Sequence, residues 1–67
     1  MQNVNWIVIH IAHTQQEAER LQQKLADEGF FIRVQQRAQL GIWELRATKS
    51  ESVPAREFIM EHLHEQE

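Results

Sequence analysis

The chain contains no cysteine, so disulfides and thiolate metal sites are excluded, a usage that fits a reducing compartment. No apolar run approaches the roughly 20 residues needed to span a bilayer. The opening Met1-Gln2-Asn3-Val4-Asn5 lacks the basic stretch and small-residue cleavage site of a signal peptide, so a cytoplasmic location is expected. Excess positive charge is missing too: the formal net charge is −3, which disfavours nucleic-acid binding through phosphate neutralisation unless basic residues gather locally. Only two glycines occur, neither in a phosphate-cradling run, and the single proline is Pro54. What remains is an ordinary globular composition, 42% hydrophobic and 25% charged, in 67 residues that allow one domain with a marginal core. Without disulfides or a thiolate metal site, self-association is the expected supplement to that core.

Residues Trp6 to Ala12 form a short β-branched apolar segment that reads as a first strand. Strict alternation would place Ile7, Ile9 and Ile11 on one face and Trp6, Val8 and His10 on the other. Thr14 and Glu17 have the spacing of a capping box, and Ala18, Leu21, Leu25 and Ala26 fall near one face of the helix that follows. Gly29 sits where a positive φ ends that helix. Alternation returns from Phe30 to Arg37 and from Ile42 to Thr48, with only Ala38 to Gly41 between them, which predicts an antiparallel hairpin. Ser50 or Ser52 can cap a last helix, Pro54 fits its first turn, and Ala55, Phe58, Ile59 and Leu63 make its apolar stripe.

The expected fold is therefore α+β, ordered β-α-β-β-α. A right-handed crossover leaves a gap between the first two strands that the third fills, giving sheet order 1-3-2 with both helices on one face. This resembles a ferredoxin-like split β-α-β unit truncated by its fourth strand. The omission leaves strand one at an edge, with no charged residue or proline from Trp6 to Ala12 to discourage pairing. A homodimer is expected through that edge or through the helix-free face, unless Met1 to Asn5 or the C-terminal tail covers the edge. The helix-free face is expected to present Trp6, Val8, His10, Phe31, Arg33, Gln35, Ile42, Glu44 and Arg46. Trp, Phe and Arg are types enriched in binding hot spots, so these residues form the candidate interface.

Chemistry has little support. His62 and His64 are two apart on a helix and diverge, and His10 and His13 lack a third ligand nearby, so no metal or cofactor is expected. Ser50 and Ser52 are accounted for by capping and Glu17 by the capping box, so no catalytic set is expected. A second possibility is a small-molecule effector at Ala12, His13 and Thr14, where a helix N-terminus favours anions. Stacking of RNA bases on the open face ranks lower, because Gly41-Ile-Trp-Glu-Leu-Arg46 lacks the usual aromatic motif and Glu44 lies within the face.

The pattern Trp6 to Ala12, then Ala18, Leu21, Leu25, Gly29 and Phe30, then Ile42 and Leu45, then Ala55, Phe58 and Ile59, is similar to a family of prokaryotic signal-transducing proteins. That family has a nitrogen-regulatory PII-like, ferredoxin-like fold, and the likeness is to its short clostridial-type members. The resemblance implies a cytoplasmic regulatory role without an assigned ligand. PII nucleotide chemistry is not implied, because only Ala38 to Gly41 stands where those proteins carry a long loop.

Overall fold

A computed structural model describes the backbone of residues 5–65 and the side chains of residues 5–62. Its elements are β1 (Trp6–Ala12), α1 (Gln15–Asp27), β2 (Ile32–Arg37), β3 (Ile42–Thr48), a 3-10 turn (Lys49–Glu51) and α2 (Ser52–Glu65). The sheet order is β1-β3-β2, and β3 pairs antiparallel with both neighbours, as the alternation and the short hairpin predict. Both helices supply one core: Ala18, Leu21 and Leu25 of α1 and Ala55 and Ile59 of α2 are buried with Ile9, Ala12, Ile32, Leu45 and Ala47 of the sheet. The opposite side of the sheet is left open by both helices.

Local chemistry explains the boundaries. The Thr14 hydroxyl accepts from the Glu17 amide at 3.0 Å, capping α1. The return bond of the expected box is displaced by one residue, since the Glu17 carboxylate accepts from the His13 amide at 3.4 Å. At the far end Gly29 takes φ +97 and the Phe30 amide bonds the Leu25 carbonyl, a left-handed stop that a side chain would strain. In the hairpin the Leu40 amide donates to Arg37 and the Gly41 amide to Ala38, while Gly41 takes φ +68.

Several expectations are corrected. Ala26 is exposed, because α1 turns its stripe through Ala18, Leu21 and Leu25 and leaves Ala26 on the flank. β2 begins at Ile32, not Phe30, because the Phe31 amide donates to the Glu51 carboxylate at 3.0 Å. Neither serine caps α2: the 3-10 turn feeds directly into the helix, and the Ser52 hydroxyl donates to the Lys49 carbonyl at 2.9 Å. The expected burial of Leu63 and cover by residues 1–4 or 66–67 lie outside the described residues.

The largest correction concerns β1. Trp6, Ile7 and Val8 pair with Thr48, Ala47 and Arg46, but His10, Ile11 and Ala12 pair with Leu45, Glu44 and Trp43, so Ile9 is the extra residue of a β-bulge. A one-residue insertion exchanges the faces of everything beyond it. His10 therefore turns to the helix side, where its Nε2 lies 3.2 Å from Glu17 Oε2. Ile11, expected inside, emerges on the open face at 44% exposure, and Ile9 stays buried.

The helix-free face of the sheet as candidate binding site

The open face is built by alternate residues of three strands. Cross-strand register sets Val8, Arg46 and Arg33 in one row, and Ile11, Glu44 and Gln35 in the next. Ile42 pairs with Arg37 at the hairpin end, and Trp6 pairs with Thr48 at the other. Trp6 and Phe31 meet edge to face with ring centroids 5.6 Å apart, and Arg33 lies over the Trp6 ring at 5.1 Å. Trp6 is thus half-buried by its neighbours, whereas Phe31 is 66% exposed.

Glu44 anchors the polar half. Its Oε1 accepts from Arg46 Nη2 at 2.6 Å and pairs with Arg37, whose Nε lies 3.3 Å away. The Arg46 hydrogen bond holds the Glu44 carboxyl below its ordinary pKa; burial opposes this, and the bond and charge of Arg37 reinforce it. Arg46 Nε is buried with no hydrogen-bond partner. Arg33 forms no ion pair with Glu44 and rests on the indole instead, so its N–H donors are uncommitted among the described residues. Trp6, Arg33, Gln35 and Arg46 line a shallow open depression where these groups converge.

Of the residues expected at this surface, Trp6, Val8, Phe31, Arg33, Ile42, Glu44 and Arg46 share the face, with Gln35; His10 does not, and Ile11 takes its place. Arg37 also belongs to the site through Glu44. Its alternation with Arg33 and Gln35 was the available signal for it.

The sheet edges differ from expectation. Besides the bulge, Arg56 of α2 donates to the Val8 carbonyl at 3.4 Å, so β1 carries a charged side chain on its backbone after all. At the other border Gln22 of α1 donates to the Ile32 carbonyl of β2 at 3.1 Å. Each outer strand therefore has a backbone acceptor engaged by a helix side chain.

The turn from Ala12 to Thr14 is occupied from within. Ala12 is fully buried, Thr14 caps α1, and the Glu17 carboxylate lies against His10 and the His13 amide, so a negative charge already stands at this helix start. His62 bonds the Phe58 carbonyl and stacks on the Phe58 ring at 3.9 Å. Among the described residues no three His, Asp or Glu gather to hold a metal ion. No helix among them is long and apolar enough to cross a membrane.

Comparison with protein-family models finds none that matches, and no curated protein or solved structure matches the chain either.

Proposed function

We propose that the protein is a non-catalytic regulatory binding module that works through the helix-free face of its sheet. The observation that carries this reading is the face itself: Val8, Ile11, Phe31 and Ile42 surround an arginine-glutamate network, and no element among the described residues covers them. Apolar and cationic groups so arranged suit docking better than solvation. The hydroxyls that catalysis would need are engaged locally, with Ser50 beside Thr48 and Ser52 on Lys49. A cytoplasmic signalling role, as in the PII-like group that the hydrophobic spacing resembles, is the setting we propose.

Self-association belongs to this reading. The face supports it better than the β1 edge does, because the bulge and Arg56 obstruct strand addition. Sedimentation equilibrium from low to high micromolar concentration tests it. A reversible dimer should appear, strengthen with salt as the arginines are screened, and weaken in Val8→Lys. A monomer at every concentration, indifferent to Val8→Lys, would remove self-association from the reading.

A further inference from the structure

The chain is acidic as a whole, but its charge is segregated. Arg33, Arg37 and Arg46 stand against Glu44 on the open face, a local balance of +2. With a net charge of −3, the remainder of the molecule carries −5. The acidic body thus turns a small basic, aromatic surface outward. Net charge, which argues against a polyanion, averages this surface with the acidic remainder of the sequence.

We infer that this face binds single-stranded nucleic acid, with a base stacked on Phe31 and the neighbouring phosphates held by Arg33, Arg46 and Arg37. Three observations select this occupant. Phe31 is the most exposed aromatic ring described and lies at the head of β2, with Arg33 and Arg37 following on the same face at alternate positions. Stacking on an exposed ring with guanidinium groups tracking the backbone is how sheet surfaces take single strands, and it is tolerant of sequence. Arg33 is oriented by the Trp6 ring yet bonded to no carboxylate among the described residues, so its fork is prepared for a phosphate oxygen. Finally, a peptide adding as a strand would need a free sheet edge, whereas Gln22 engages the Ile32 carbonyl of β2, Arg56 engages the Val8 carbonyl of β1, and β1 is bulged. A second copy laid face to face sets six arginines against two glutamates, so that pairing gains from added salt whereas an anionic strand is favoured at low salt. The Glu51 carboxylate accepts from the Phe31 amide and so fixes the backbone that carries the ring.

The inference rests on the open face being the working surface, and the experiment separates the two. A labelled single-stranded oligonucleotide of about ten nucleotides, as RNA and as DNA, is titrated with the full chain at low salt and followed by fluorescence anisotropy. An unlabelled polyglutamate peptide and the matching duplex serve as competitors. Binding is expected to fall with salt, with a log–log slope of about −2 for three phosphate contacts on a single strand. Arg33→Gln should lower that slope to about −1.4. Phe31→Ala should weaken binding about tenfold through lost stacking. Lys24→Gln on α1 should change neither, and circular dichroism confirms that each variant is folded. Binding of a labelled polyglutamate peptide by a chain with no oligonucleotide affinity would overturn the nucleic-acid assignment and leave the docking face standing. So would a dimer that ignores oligonucleotides. Oligonucleotide binding unmoved by Phe31→Ala and Arg33→Gln would place the contact elsewhere and overturn both claims. Silence toward every probe, from a chain that is also monomeric, would overturn both as well.

Discussion

Replacing Ile9 and Ile11 by alanine, one at a time, tests the bulge that decides what the open face contains. Under strict alternation the two isoleucines share a face and their truncations should cost the same. In the structure Ile9 is 7% exposed within the core, and Ile11 is 44% exposed opposite Glu44. Truncating a buried isoleucine typically costs about 2–5 kcal/mol, from lost transfer free energy and the cavity left behind. Truncating Ile11 should cost about 1 kcal/mol or less, since much of its side chain is already in water. A domain of 67 residues has a stability of roughly 3–10 kcal/mol, so Ile9→Ala approaches the limit of folding and Ile11→Ala does not. At about 4–8 °C per kcal/mol for a domain of this size, a 2 kcal/mol difference separates the melting points by about 8–16 °C. Thermal and urea denaturation by far-UV circular dichroism, at concentrations where dilution leaves the wild-type midpoint unchanged, gives the comparison free of association. Equal losses in the two variants, or a larger loss for Ile11→Ala, would refute the bulged register.

Other consequences follow from single contacts. Thr14→Ala removes the cap of α1 and should cost about 1 kcal/mol, recovered in part by Thr14→Ser, as read by urea midpoints. Gly41→Ala should cost about 1–2 kcal/mol purely through its positive φ, since an added Cβ would meet nothing within 4 Å. Because Arg46 holds the Glu44 carboxyl below its unfolded-state pKa, Glu44 contributes stability above about pH 4.5 that is lost as pH falls through the lowered value. Urea titrations from neutral to acid pH should therefore show a shallower acid loss in Glu44→Gln than in the wild type, and an identical slope would contradict the network.

The strand order was legible because β2 and β3 alternate cleanly, Trp6 to Ala12 is a short β-branched apolar run, and the hairpin connection is only four residues long. Thr14, Glu17 and Gly29 likewise announced α1, since capping chemistry and left-handed stops are local. The bulge was not legible. Nothing in Trp6 to Ala12 distinguishes a seven-residue strand in perfect register from one that carries an extra residue, because every position is apolar or a histidine and fits either face. The choice is made by β3 and α1: with Ile9 extra, Ala12 packs beneath the helices and His10 reaches Glu17, neither of which is local in sequence. The same limit hid the edge contacts. Gln22 and Arg56 read as solvent-facing helix residues until the helices are placed beside the outer strands. Charge segregation escaped for a related reason, since a total of −3 says nothing about which side of a sheet three arginines occupy.

A docking role requires the helix-free side of the sheet to be accessible in the isolated molecule. Proton relaxation caused by a soluble paramagnetic agent, measured on dilute monomer, reads that accessibility atom by atom. The Phe31 ring and the Ile11 and Ile42 methyl groups should relax strongly, while Leu21, Leu25, Leu45 and Ile59 stay protected. Protection of Phe31 and Ile11 to the level of Leu45 in a monomer would mean that the chain covers its own sheet, leaving no surface for a partner.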